Sequence, residues 1–236
     1  MRKGPPMSMR KLAKWHIWLG WLIGVPLIMW TLTGLLMVSR PIEEVRGTHL
    51  RQDIPQAPLP ANAAIAADLS QLEKPVKSLS IAMEGSLAIT RVTYMDGTVE
   101  RYSESGRSIP ALNEIGARTV VARQIVGGSD ATAARFFPAD EAPLDLRQPV
   151  DSWQVKLADG TNVYVAPATG DILAVRTPFW RLFDLAWGLH IMDLETREDT
   201  SHPVPTVFTP LSAIGVVMGT VLLFRRRKAR PKPANG

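Results

Sequence analysis

One uncharged apolar run, Trp15 to Val38, constrains this chain more than any other feature of its sequence. It reads WHIWLGWLIGVPLIMWTLTGLLMV and contains no Asp, Glu, Lys or Arg. A helix needs about 20 apolar residues, each rising about 1.5 Å, to cross the hydrocarbon of a bilayer. A signal peptide has a shorter apolar region of about 7 to 15 residues, followed by small cleavage residues, whereas Val-Ser-Arg-Pro follows this run. We therefore expect an uncleaved transmembrane helix.

The distribution of charge predicts how the chain is oriented. A second uncharged run, Val204 to Phe224, ends at four consecutive cations, Arg225 to Lys228. Five Lys and Arg precede the first run, six follow the second, and all 22 acids lie between them. The positive-inside rule then predicts cytoplasmic termini and an extracytoplasmic central segment. This topology accounts for the basic pI, so we expect membrane lipid as a partner and no nucleic acid.

The absence of cysteine restricts the available chemistry. Without a single Cys, the chain has no disulfide, thiolate nucleophile, iron–sulfur cluster, Cys-ligated zinc or covalently attached c-type haem. It also lacks a G-x-S-x-G elbow, an H-E-x-x-H motif, a phosphate-binding loop and a dinucleotide fingerprint. The sequence therefore identifies no catalytic residue.

The central segment alternates between turn signals and short apolar patterns. Pro residues favour an extended linker over residues 39–60, and Asp-Gly pairs mark hairpin turns. Helices are expected over Ala61 to Lys74, Asn113 to Ile125 and Thr177 to Met192. Strands are expected over Val76 to Met83, Leu87 to Tyr94, Val99 to Ser103, Ser152 to Leu157, Thr161 to Ala166 and Ile172 to Val175, with a loop from Phe136 to Pro149.

The two halves of this segment can be aligned with each other. Asp96-Gly97-Thr98 then matches Asp159-Gly160-Thr161, and Tyr102 falls on Tyr164. The predicted fold is an α+β membrane protein in which two transmembrane helices flank two helix-plus-antiparallel-sheet repeats, followed by an interfacial amphipathic helix. The expected divisions are a basic tail (1–14), a span (15–38), a linker (39–60), repeats (61–110 and 111–176), the interfacial helix (177–193), a connector (194–203), a span (204–224) and a basic tail (225–236).

Three stretches resemble a known family. DGTNVYVAPATGDIL is similar to the signature of PepSY domains, and KWHIWLGWLIGVPLIMWTLTGLLM resembles the first helix of the PepSY-associated transmembrane family. FWRLFDLAWGLHIMDLETRED resembles the His-bearing stretch of that family. The resemblance implies a bacterial inner-membrane protein associated with iron acquisition, whose larger relatives include haem-containing ferric-siderophore reductases. It thereby implies haem b as a cofactor and a ferric siderophore as a partner.

Small residues mark one side of each span. Gly20, Gly24 and Gly34 share a stripe with His16 on the first helix, and Gly215 and Gly219 repeat the pattern on the second. Membrane helices pack through small residues, so this side should face another helix, in this chain, in a homodimer or in a partner membrane protein. Plain helix packing and a groove for a cofactor both fit this pattern.

Two histidines are candidate ligands of a haem iron. His16 lies among the small residues of the first span, but between Trp15 and Trp18 it also fits an interfacial anchor. His190 falls on the aromatic face of the predicted interfacial helix, opposite Arg181, Asp184 and Gly188. A neutral imidazole there could bind iron, or it could be a buried, hydrogen-bonded side chain.

The remaining histidines, His49 and His202, are weaker candidates that could pair with His190. Each lies near the outer end of a span, in Pro-rich or charged sequence that is typical of exposed loops. A symmetric dimer would supply a second His16 for bis-imidazole ligation. The stretch Thr196 to Ser201 fits a solvated connector.

Two functional classes remain open from the sequence. One is a haem-b electron-transfer component linked to iron uptake, which needs a quinol or a partner reductase as donor because the chain has no flavin or nicotinamide site. The other is a non-enzymatic tethered module that binds or restrains a periplasmic partner such as a protease.

Overall fold

The structure, a computed structural model, describes residues 9–228, apart from residues 56, 62, 64, 66, 68, 69, 71 and 202 and the side chains of residues 225–228. The chain divides into two units: Pro41–Arg181, and a helical unit formed by the segments on either side of it. The main elements are α1 (Met9–Met37), α2 (Ile42–Val45), β1 (Val76–Glu84), β2 (Leu87–Tyr94), β3 (Val99–Tyr102), β4 (Ser108–Ile109), α3 (Glu114–Gln124), β5 (Ala131–Phe137), β6 (Ser152–Leu157), β7 (Asn162–Val165), β8 (Ile172–Arg176), α4 (Pro178–Ile191) and α5 (Pro203–Lys228).

The helical unit contains the two apolar helices expected from the sequence. Both α1 and the Pro203–Phe224 part of α5 are long and apolar enough to cross a bilayer. They pack against each other, and α4 begins where its sequence predicts. The hydroxyl of Thr177 accepts a hydrogen bond from the backbone N–H of Trp180 at 3.0 Å, so Thr177 is the N-cap and Pro178 the first helical residue.

The central unit contains two antiparallel four-stranded sheets, each a meander in chain order, β1-β2-β3-β4 and β5-β6-β7-β8. Equivalent hairpins have equivalent turns. The Asp96 carboxylate accepts a hydrogen bond from the Thr98 N–H at 2.9 Å, and Asp159 does the same for Thr161 at 2.8 Å. The glycine between them has a positive φ of 85° at Gly97 and 84° at Gly160. The fold is therefore α+β with two antiparallel sheets, whereas the internal repeat stays a prediction.

The second sheet has the larger core. Ala117 and Val121 of α3 and its C-cap residue Ile125, spaced four residues apart, are buried against the inward side chains of β6, β7 and β8. The first sheet has a smaller buried cluster, consisting of Val92, Tyr94 and Ala67 among the described residues. Burial of apolar side chains contributes most of the stability of such layers. The hydrophobic contribution to stability is therefore larger for the sheet of β5 to β8 than for the sheet of β1 to β4.

Four secondary-structure predictions require correction. The expected extended linker includes α2 and a 3₁₀ turn at Thr48–Leu50, because Gly47, with φ 68°, lets the chain pack closely on Val175. Strand β5 was missed because an edge strand exposed on both faces lacks apolar alternation. The two-residue β4 was also missed, and β5 runs into the start of the predicted loop. In the range 61–74, the described residues contain no α-helix, and the other residues lie outside the described set.

Candidate histidine sites

His190, on the last turn of α4, lies against the C-terminal half of α1. Its ring stacks on Trp30, with 4.7 Å between ring centroids and 18° between ring planes. Its Nδ1 atom lies 3.0 Å from the Thr33 hydroxyl oxygen. Gly34 leaves room for the ring, because a Cβ atom at that position would lie 3.3 Å from the His190 Cε1 atom. Three neighbouring residues of α1 therefore fix the position of this imidazole.

The Thr33 hydroxyl favours one tautomer of His190. This hydroxyl has a single hydrogen, which it donates toward the backbone oxygens of Met29 and Trp30 at 2.9 and 3.0 Å. Its lone pair is then free to accept a hydrogen bond from a protonated Nδ1 of His190. The other ring nitrogen, Nε2, is left with an unprotonated lone pair, as in the imidazoles that ligate metals. The hydrogen bond thus orients the ring and points to Nε2 as the nitrogen that is not bound by Thr33.

A compact turn after α4 holds its C-terminal end. The Asp193 carboxylate accepts hydrogen bonds from the backbone N–H groups of Glu195, Thr196, Glu198 and Asp199 at 3.1 Å each and from the Thr196 hydroxyl at 2.5 Å. The Thr196 hydroxyl and then these N–H groups hold the pKa of Asp193 well below its usual range, because they stabilise the charged form more than burial disfavours it. The stretch Thr196 to Ser201 is exposed except at Arg197, in agreement with a solvated connector, and it begins with an ordered turn.

A salt bridge also connects α4 to the turn that follows it. The Arg197 guanidinium donates to Asp184 at 2.5 Å, and its backbone oxygen accepts from the Trp187 indole at 3.0 Å. Gly188 lies between them, since a Cβ atom there would come within 2.8 Å of Arg197 and 2.9 Å of the Asp193 oxygen. Asp184 and Gly188, two members of the polar strip predicted on this helix, thus contact the turn that follows α4.

His16, near the N-terminal end of α1, has a different environment. Its ring is half-buried against α5, where a Cβ atom added at Gly219 would lie 2.9 Å from the His16 Cε1 atom. Its Nδ1 atom is buried and has no hydrogen-bond partner among the described residues. Packing fixes the position of this ring, and no described group fixes its tautomer.

The two sites are far apart on α1. His16 is separated from the residues that contact His190 by 14 to 18 positions, which corresponds to about 25 Å along a helix. One small planar cofactor in this chain cannot contact both rings. His49 is exposed in the 3₁₀ turn, with Nδ1 3.4 Å from the backbone oxygen of Glu43, and His202 lies outside the described residues.

The predicted glycine stripe divides into two groups. Gly34, Gly215 and Gly219 make close contacts, whereas a Cβ atom at Gly20 or Gly24 would meet nothing within 4 Å. Instead, large side chains of α1 pack against the glycines of α5, with Ile23 at Gly215 and His16 at Gly219. Within this chain, the contact between α1 and α5 uses the glycines of α5. The expected packing of small residues of α1 against another helix is not seen at Gly20 and Gly24.

Several residues of these sites escape sequence reasoning. Thr33 and Trp30 are ordinary members of an apolar span, and nothing in their spacing identifies them as partners of a histidine 157 residues away. Asp193 had a usable signal, because an Asp followed by Thr, Glu and Asp near a helix end is typical of a side-chain-capped turn. No group of three or more potential metal ligands occurs among the residues that the structure describes.

Two long apolar helices and two antiparallel sheets define the class of this molecule as an α+β membrane protein. The family model described as the PepSY-associated TM region matches residues 13–235, and the chain therefore belongs to that family. A comparison with curated proteins and another with solved structures found no match.

Proposed function

We propose that this PepSY-associated membrane protein carries electrons through a bound haem b. The supporting observation is the environment of His190, in which Thr33 binds Nδ1 and leaves Nε2 available as an iron ligand. Axial ligation requires a ring nitrogen with a free lone pair. When bound, haem would supply a one-electron redox centre.

The residues of this chain have separate roles toward that group. His190 would hold the iron through Nε2, Thr33 orients the imidazole through Nδ1, and Trp30 covers one face of the ring. The second iron ligand is another imidazole, from this chain or from another chain. His16 serves a second site, where a symmetric dimer provides the matching His16 of the partner.

The proposal extends to topology and partners. The basic tails place both termini in the cytoplasm of a bacterium, the spans in its inner membrane and the sheet unit in the periplasm. Helix α4 lies at the outer membrane interface, where its exposed Leu182 and Leu185 meet lipid. The two sheets derive from a PepSY repeat. A quinol or a partner reductase supplies electrons, and a ferric siderophore accepts them.

The test is a reduced-minus-oxidised absorption spectrum of the detergent-purified protein from haem-replete cells. The wild type is expected to show α and Soret bands, and His190→Ala is expected to lose most of their intensity. His16→Ala should remove the contribution of the second site only. Trp18→Ala is the matched control, because it removes a ring of α1 that is 67% exposed and so should leave the spectrum unchanged.

A colourless wild type contradicts the electron-transfer proposal. Bands that persist in His190→Ala and disappear in His16→Ala would instead assign the haem to the other end of α1. His49→Ala and His202→Ala, measured in the same series, identify the second ligand by the loss of the low-spin spectrum.

A second candidate function is a membrane-tethered module that binds a periplasmic partner or restrains a protease. The observation in its favour is a polar cavity of about 500 Å³ in the sheet unit, bordered by arginine side chains. Histidines with only structural roles, and therefore a colourless protein, would support this alternative.

A further inference from the structure

The cavity of the sheet unit lies where six segments meet. Its lining comes from the chain after Arg51, the end of β1, the middle of β2 and β3, the C-terminal half of α3 and the β7–β8 turn. Its volume of about 500 Å³ falls within the range of small-molecule sites. Six ionised side chains border it: Arg91, Arg101, Arg123, Glu84, Asp171 and Asp53.

Two of these arginines face each other across neighbouring strands. Arg91 on β2 is the register partner of Arg101 on β3, and like charges in this position repel. Glu84 lies between them, with its oxygens 2.7 Å from Arg91 and 3.1 Å from Arg101. Arg91 also donates to Asp171 of the second sheet at 3.0 and 3.2 Å. The cavity floor is therefore built by a fixed network of charges.

The network leaves donor groups unused. Arg101 is the most buried member, with a side chain only 7% exposed, and its Nε atom is buried without a hydrogen-bond partner among the described residues. A buried N–H group without a partner is costly, so such groups usually meet water or a ligand. Arg101 Nη2 reaches only the backbone oxygen of Pro110, at 3.4 Å.

Arg123, at the end of α3, adds a second free donor. It lines the same cavity, is exposed, and forms no ion pair or hydrogen bond within the part of the chain that the structure describes. Its Nη1 atom would lie 3.3 Å from a Cβ atom at Gly85. Among the described residues, Glu84 pairs with Arg91 and Arg101, and Asp171 pairs with Arg91, whereas no carboxylate pairs with the side chain of Arg123.

From these contacts we propose that the cavity binds a carboxylate group, from a small organic acid or from the C-terminus of a polypeptide, through Arg123 and Arg101. A guanidinium fork matches the planar geometry of a carboxylate. A phosphate, with more charge, would be repelled more strongly by Glu84 and Asp53, which border the same space. This site is independent of haem binding.

The test is isothermal titration calorimetry of the detergent-purified full chain at pH 7 and low salt. The probes are propionate, an acetylated dipeptide with a free C-terminus, the same dipeptide as its C-terminal amide, and inorganic phosphate. Binding of propionate alone assigns a small organic acid. Binding of the dipeptide acid but not the amide assigns a polypeptide C-terminus. Failure of both carboxylate probes to bind at millimolar concentration, or tighter binding of phosphate, overturns the proposal.

Variants locate the site. Arg123→Gln is expected to weaken carboxylate binding by about tenfold or more, because it removes a charge-assisted donor. Arg107→Gln makes the same charge change at an exposed position outside the cavity, and should leave binding unchanged. Arg101→Lys keeps the charge but removes the fork, and should also weaken binding if circular dichroism shows a folded protein. Equal affinities in Arg123→Gln, Arg107→Gln and the wild type overturn the assignment.

Discussion

The two ends of α1 hold their histidines in different ways. At the His190 end, a hydroxyl binds one ring nitrogen, an indole stacks on the ring and a capped turn follows the helix. At the His16 end, the ring fills the space above Gly219 and its buried Nδ1 has no partner among the described residues. A hydrogen bond orients a ring and selects its tautomer, whereas packing only positions it. The His190 end is therefore the one at which a hydrogen bond orients the ring.

The largest expected effect comes from filling the space above the α5 glycine. Gly219→Leu should reduce the free energy of unfolding in detergent by about 1–3 kcal/mol, because a side chain there collides with His16 and separates α1 from α5. Gly34→Leu, where the nearest contact is 3.3 Å, should have a smaller effect that is confined to His190.

Gly20→Leu is the matched control for this pair, since no described atom outside its own turn of α1 lies within 4 Å of a Cβ atom at that position. Its unfolding should follow that of the wild type. If Gly20→Leu is instead the most damaging of the three, α1 uses its glycine face, and the contrast between the two ends of α1 fails. A change only in the dimer fraction of Gly20→Leu would place a second copy on that face.

A smaller loss is expected from the turn behind His190. Asp193→Asn should lower the Tm by several degrees, because an amide cannot accept all the hydrogen bonds that the carboxylate accepts. The folded pKa of Asp193 is depressed, so its contribution is present above the unfolded value near 4 and is lost as the pH falls through the lower folded value.

Thermal unfolding between pH 5 and pH 2 checks this contribution. The difference in Tm between wild type and Asp193→Asn should be full at pH 5 and should shrink toward pH 2. Asp140→Asn is the control, because the Asp140 side chain is exposed and makes no hydrogen bond among the described residues. A difference that stays constant over this range would show that the charge of Asp193 contributes nothing to stability.

The smallest and most specific effect is expected at the hydroxyl beside His190. Thr33→Val keeps the side-chain shape but removes the acceptor for Nδ1, at a cost of about 1 kcal/mol. Nitrogen-15 chemical shifts should show one tautomer of His190 in the wild type and a mixture in the variant. Thr31→Val is the control, because the Thr31 hydroxyl donates to the backbone oxygen of Leu27 and to no other group of the described residues. An unchanged tautomer in Thr33→Val would remove the distinction between the two histidines.

Sequence patterns predicted the elements of this fold more reliably than their partners. The spans follow from uncharged apolar runs, and the Asp-Gly hairpins from turn chemistry, both of which are local properties. The edge strand β5 was missed because its exposed faces carry no periodicity. His190 and His16 were identified because a polar ring on an apolar helix is conspicuous, but Thr33 and Trp30 were not.

The sequence by itself determined the two spans, the α+β composition, the absence of thiol chemistry and the short set of candidate histidines. The tertiary structure decided that Thr33 pairs with His190, that Ile23 and His16 pack above glycines, and that Arg101 keeps an unpartnered donor beside a cavity. The reason is physical. Hydrophobic length and turn propensity act within a few residues along the chain, whereas the rotation of one helix against another depends on side-chain shapes from distant segments.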